Sequence, residues 1–392
     1  MKRVTESCDV AVNSSTAESP RIDDLEAVHP MTSSESLRVA AKAVDVFWRS
    51  TLARVFALIF LLYAFLVSIG MLGRAFKMFS GGFVGSLIES ASDPLIGLFV
   101  GILATTLVQS SSTTTSLVVA LVGSGSMPIG TAIPIIMGAN IGTSVTNTLV
   151  SLGHIGHGRE FQRAFAASTI HDFFNIFSVA VLFPLQLTTN FLGILSSQLA
   201  RLFEEVGGLS FASPLKLLTG PTVKAAADFL QGHPWLLLIS ALVIMFASLR
   251  YLVVALKAIV LGRVEAFFDQ TLFANAGRAM FLGLLVTVLV QSSSITTSLA
   301  VPLAGAGILS LVQIFPYTLG ANIGTTITAI LAALAVGELS AVTVAFAHLL
   351  FNVCGITVIW PIPFIRRIPL RLAESFAETT ANHRWVAVAY IV

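Results

Sequence analysis

Two copies of the tetrad Gln-Ser-Ser-Ser stand inside otherwise apolar runs: Gln109, Ser110, Ser111 and Ser112, then Gln291, Ser292, Ser293 and Ser294. Each is followed by Thr-Thr-Ser (114–116 and 296–298) and, further on, by Gly-Ala-Asn-Ile-Gly-Thr (138–143 and 320–325). Both motifs recur at one interval, 291 − 109 = 182 and 320 − 138 = 182, so the chain contains an internal duplication that aligns here without a gap. Four consecutive polar residues in hydrocarbon have to be satisfied by one another, by the backbone or by a solute.

That the surroundings are hydrocarbon follows from composition. Charged residues make up 11% of the chain and hydrophobic ones 55%, with a mean hydropathy of +0.89, whereas an ordinary soluble domain is about 25% charged. Crossing about 30 Å of hydrocarbon takes about 20 helical residues. Runs of that kind are expected at 52–72, 129–152, 164–187, 235–256, 311–336 and 342–361. A formal charge of +2, without a basic patch interleaved with aromatics, gives no nucleic-acid surface. Cys8 and Cys354 lie in a polar tail and an apolar run, so no disulfide framework is implied. The polar start runs for about fifty residues and is not a compact signal peptide.

The chain divides accordingly. Residues 1–51 read as a cytoplasmic tail, disordered over 1–35 and carrying a short amphipathic helix from Leu37 to Trp48. Residues 52–187 form a first transmembrane repeat, 188–233 an extracytoplasmic loop, 234–365 a second repeat and 366–392 a cytoplasmic tail. Arg38, Lys42, Arg49 and Arg54 at one end, and Arg366, Arg367 and Arg371 at the other, put both termini in the cytoplasm of a multi-pass cell-membrane protein. Residues 95–108 are too few to span comfortably, so each tetrad is expected at the tip of a re-entrant helical hairpin. Gly138 and Gly142, and their counterparts in the second copy, suggest a broken transmembrane helix around each hexapeptide. With one extra span between the copies, the second lies inverted relative to the first, as in many secondary transporters. The expected fold is an all-α polytopic membrane protein with two inverted repeats, each holding a hairpin and a broken helix.

Ser and Thr hydroxyls and the free N–H groups of helix starts donate to oxyanions. Hydroxyl, Asn and unwound carbonyl oxygens suit small hard cations. A single tetrad is as readily explained by hydroxyls bonding back to helix carbonyls or joining helices. Two matching tetrads, each with a matching hexapeptide, favour a binding site for an oxygen-rich solute moving with a cation.

Twin QSSS motifs followed by GANIGT segments resemble the type II sodium-dependent phosphate cotransporters, over nearly all of residues 52–361. The run His171-Asp172-Phe173-Phe174-Asn175 extends the resemblance, with a weaker echo at 348–352. The resemblance implies sodium-coupled phosphate import, with the eight tetrad residues holding phosphate. It further implies a sodium-binding set drawn from Asn140, Thr143, Ser168, Asp172, Asn322, Thr325 and Thr328. In electrogenic members an Asp at the place of Asp172 is tied to an additional sodium ion. The repeat counterpart of Asp172 is Leu349, so folding symmetry does not require an acid there. His154 and His157 depart from the Gln and Asp of animal members. Residues 188–233 lack those members' cysteines and Asn-x-Ser/Thr sites, which points to a bacterial member.

No cofactor and no transition-metal site are expected, and no enzyme: GANIGT has no Lys after it, and no His or carboxylate cluster has catalytic metal spacing. A channel is less compatible with duplicated broken spans than alternating access. The alternative solute is another oxyanion or a small polar organic molecule. The expected partners are phosphate, sodium ions and the bilayer; oligomeric state is left open, a homodimer included.

Overall fold

The computed structural model describes residues 51–79, 92–143, 145–230, 232–264 and 270–391. The expected amphipathic helix at 37–48 and most of the tail 1–51 lie outside them. Residues 55–392 make one compact unit. Every regular element among the described residues is helical: α1 (Thr51–Met78), α2 (Pro94–Val108), α3 (Ser111–Gly123), α4 (Ile129–Ile141), α5 (Val145–Leu152), α6 (Gly158–Thr189), α7 (Phe191–Glu205), α8 (Gly208–Phe229), α9 (Pro234–Val264), α10 (Gln270–Phe273), α11 (Ala276–Val290), α12 (Ser293–Gly305), α13 (Leu311–Val336), α14 (Leu339–Ile359), α15 (Pro363–Asn382) and α16 (Trp385–Ile391).

Among the described residues, six segments are long and apolar enough to cross a membrane, one for each expected run. Side chains such as Phe60 and Leu107 are 67% and 75% exposed, which suits lipid rather than water as their surroundings. Each tetrad joins two shorter helices, α2 to α3 and α11 to α12, with arms of 15 and 13 residues in both cases. At 1.5 Å per residue such arms reach only about 20 Å, short of the hydrocarbon thickness. Their starts are fixed alike. Asp93 Oδ1 accepts from the N–H groups of Leu95 and Ile96, and Asn275 Oδ1, 182 positions on, accepts from those of Gly277 and Arg278.

Small residues hold each first arm against the helix carrying the hexapeptide. A Cβ on Gly138 would stand 2.0 Å from Leu98 O, and one on Gly101 1.9 Å from Ile135 O. In the second copy, Gly320 meets Met280 O at 1.8 Å and Gly283 meets Tyr317 O at 2.0 Å. The hexapeptide glycines are therefore fixed by close helix approach.

This accounts for one correction. The first copy is broken as expected, between α4 and α5 around Gly142 and Thr143, but the second is not: α13 runs unbroken from Leu311 to Val336. Downstream of Thr143 stand the polar Thr146, Asn147 and Thr148, whereas Thr328 is followed by Ala-Ile-Leu-Ala-Ala-Leu-Ala, residues of high helix propensity that carry the helix through. Two further segments also differ. Residues 188–233 are not a loop in the main but α7 and α8, with Leu192, Ser196 and Ala200 buried and α7 packed on α14. Residues 366–392, expected as a cytoplasmic tail, hold most of α15 and all of α16, and α15 packs along α6, burying Leu370, Ala373 and Ala377.

Candidate functional site

Both hairpin tips have one construction. Gln109 and Gln291 end their first arms in the left-handed region, at φ 58° and 56°, where non-glycine residues are uncommon. Their N–H groups donate to Thr105 O and Thr287 O, each at 2.7 Å. The next residues, Ser110 and Ser292, are extended, and their hydroxyl oxygens accept from the N–H groups of Thr113 (3.2 Å) and Ile295 (3.4 Å), so each serine caps a second arm. The glutamine side chains fold back over the turns. Nε2 donates to Thr106 O in the first copy and to Val288 O, at 2.6 Å, in the second. Oε1 accepts from the hydroxyls of Thr146 (3.3 Å) and Thr328 (2.8 Å), again 182 positions apart.

The two tips meet. All eight tetrad residues line one cavity of about 520 Å³, together with Thr113, Thr143, Thr146 and Ile295. The lining also takes in residues of α9, namely Phe246, Ala247, Leu249, Arg250 and Val253. The first turn of a helix has N–H groups without intrahelical partners and a partial positive charge, and two such turns, α3 and α12, start at this cavity. A crowd of hydroxyls and N–H donors in a cavity that Arg250 also lines is suited to an oxyanion.

The residues named as candidate sodium ligands fall in four places. Thr143 lines the cavity, and Thr328 bonds the Gln291 side chain beside it. Thr325, buried, bonds back to Ala321 O at 3.1 Å. Asn140 and Asn322 instead enter a buried network that crosses between the copies. His171 Nε2 meets Asn322 Oδ1, and His348 Nε2 meets Asn140 Oδ1 at 3.3 Å, so the histidine of each copy pairs with the hexapeptide asparagine of the other. Asn175 joins them, accepting from Asn322 Nδ2 at 2.9 Å and donating to Asn140 O at 2.7 Å. The i, i+4 spacing of His171 and Asn175 signals their common helix face; their partners come only from tertiary structure.

Ser168 and Asp172 are buried on α6 and do not line the cavity. Ser168 Oγ donates to Phe165 O at 2.8 Å. Asp172 Oδ1 lies 3.4 Å from His171 Nδ1, and its Oδ2 accepts a 2.6 Å hydrogen bond from Tyr390 Oη of α16.

Three participants escape a reading by motif. Arg250 was signalled only as a lone cation within an apolar stretch, which averaging over the span conceals. Thr146 lies just beyond its hexapeptide. Asn147 donates to Thr297 Oγ1 at 2.8 Å across the copies, while its counterpart at 329 is alanine.

The sequence matches the family described as Na+/Pi-cotransporter over residues 64–210 and 244–357. It is 35% identical over 422 residues to sodium-dependent phosphate transport protein 2A of Ovis aries, covering 87% of this chain and 66% of that protein. Against sodium-dependent phosphate transport protein 2B of Homo sapiens it is 34% identical over 438 residues, covering 87% and 63%. The chain thus spans just under two thirds of the length of these curated relatives. No solved structure matches it.

Proposed function

The chain belongs to the Na+/Pi-cotransporter family, and from that membership we propose that it imports inorganic phosphate into the cell by sodium-coupled symport. The single observation carrying this reading is the convergence of both tetrads on one cavity of about 520 Å³. Phosphate there would receive hydrogen bonds from Ser111, Ser112, Ser293 and Ser294 and from the free N–H groups at the starts of α3 and α12. The side-chain oxygens of Gln109 and Gln291 already accept threonine hydroxyls, so these residues hold the tips in shape and leave hydroxyls and N–H groups to donate.

Sodium would take oxygens of Thr143, Thr325 and Thr328 and of carbonyls beside them, with Asn140 and Asn322 close by in chain. A further ion would sit at Ser168 and Asp172, making transport electrogenic. The repeats are inverted, the hairpins re-entrant, and alternating access moves one repeat against the other, with both termini in the cytoplasm. The cation carries the coupling, without cofactor or catalytic step.

The test is uptake of labelled phosphate by vesicles holding the purified protein. An inward sodium gradient should drive accumulation, and an equal potassium gradient should not. Uptake indifferent to sodium would reject the coupling. Stronger competition by sulfate or small carboxylates than by unlabelled phosphate would reassign the solute.

A further inference from the structure

Of the described residues lining the tetrad cavity, Arg250 alone carries a charge. It comes from α9, a helix outside both hairpins, whose Phe246, Leu249, Arg250 and Val253 share a face by their spacing of three and four. Among the described residues no carboxylate lies within 4.0 Å of its guanidinium. Arg250 is exposed, so with no acid beside it its charge is met by water, by headgroups or by a bound anion. The duplication gives no structural reason for it. The residue 182 positions earlier is Ser68, buried and bonded back to Phe65 O at 2.6 Å.

We propose that Arg250 is the fixed cation of the oxyanion site: its guanidinium pairs two oxygens of the bound anion and selects doubly charged tetrahedral oxyanions over neutral solutes. This rests on the phosphate reading of the cavity and adds a residue to it. Phosphate carries about −1.5 to −2 charges near neutral pH, by analogy with a phosphoryl group whose second pKa is about 6. Two helix starts supply about half a positive charge each, which leaves close to one charge for a side chain or a cotransported ion to meet. A guanidinium fork fits two oxygens of a tetrahedral anion at once, which an ammonium cannot do. Because α9 lies outside the hairpins, movement of this helix relative to the tips would change the anion's affinity, as a carrier requires at release.

The experiment compares wild type with Arg250→Lys and Arg250→Gln, reading half-saturating phosphate for uptake and, separately, phosphate-induced thermal stabilisation of the solubilised protein. In Arg250→Gln the half-saturating phosphate should rise about tenfold or more, as for loss of a charge-assisted pair, and the thermal shift should be lost. Arg250→Lys, which keeps the charge without the fork, should fall between the two. Half-saturating sodium, measured at saturating phosphate, should stay close to wild type. If Arg250 merely extends toward the membrane surface, Arg250→Gln should reduce the amount of protein in the membrane and leave phosphate affinity unchanged, and that result would overturn the proposal. Lysine restoring wild-type affinity in full would overturn the paired geometry. Should Arg250→Gln not fold, an Arg250→Lys affinity equal to wild type would be just as decisive. If wild type shows the thermal shift yet no sodium-driven uptake, the symport reading fails while Arg250 is still tested by the shift.

Discussion

Gln109 and Gln291 make the same pair of hydrogen bonds in two unequal settings. Gln291 is half-buried and receives the Thr328 hydroxyl at 2.8 Å, whereas Gln109 is exposed and its bond from Thr146 is 3.3 Å long. Removing a donor from a buried acceptor costs about 1–3 kcal/mol, and much less where water can replace it. Thr328→Val should therefore raise half-saturating sodium about tenfold, and Thr146→Val by less than about threefold. Equal effects, or the reverse order, measured as sodium titrations of uptake at saturating phosphate, would show that the bond to glutamine is not what the threonine supplies. At this scale the tetrads were legible because a polar run in an apolar stretch has few explanations. Asn140 and Asn322 were less so. An asparagine in a buried helix is equally suited to an ion or to a histidine, and the bonds from His171 and His348 come from residues far away in sequence.

The spans, the pairs of short helices at the tetrads and the first helix break follow from lengths and breakers in the sequence. The continuity of α13 did not, because glycine has two uses that look alike in a sequence: freeing a backbone and letting another backbone come close. In Gly138 and Gly320 the second use governs. The hexapeptide alone thus reads as a break in both copies, and only the alanine-rich run after Thr328 distinguishes them. Gly320→Ala and Gly138→Ala force a methyl to within 1.8 and 2.0 Å of carbonyl oxygens on the neighbouring arm. Backbone cannot move aside as a flexible side chain can, so each should destabilise by about 1–3 kcal/mol or more, as overpacking does. Gly73→Ala on α1 meets nothing within 4 Å and should stay within about 1 kcal/mol of wild type, in the stabilising direction given alanine's helix propensity. Unfolding in mild detergent would measure all three. If Gly320→Ala were as stable as Gly73→Ala, close approach would not be the reason for glycine there.

On the scale of the whole molecule, the duplication and the cavity at its two tips were readable from a 182-residue interval, whereas the return of the chain's last helices was not. Residues 363–391 have the charge content of a surface segment, yet they bring Tyr390 to the Asp172 carboxylate, and the sequence has no pattern that couples positions 218 apart. That contact bears on the charge moved per cycle. Phosphate at about −1.5 to −2 charges with two sodium ions is nearly neutral, and a third ion at Asp172 would make the loaded carrier about one charge positive. A potential of about 100 mV then adds about 2.3 kcal/mol of inward drive, or about fifty-fold in accumulation. For an ion to use Asp172, Tyr390 Oη has to give up Oδ2 or share it, so the tyrosine competes with sodium. Wild-type uptake in vesicles clamped with valinomycin should accelerate as the interior is made negative. Asp172→Asn should still transport phosphate but lose that response. Tyr390→Phe should keep the response and reach it at lower sodium, because the competing hydroxyl is gone. A wild type indifferent to potential would reject the third ion. A full voltage response in Asp172→Asn would place that ion elsewhere, and a higher sodium requirement in Tyr390→Phe would mean that the hydroxyl orients the carboxylate for the ion instead of blocking it.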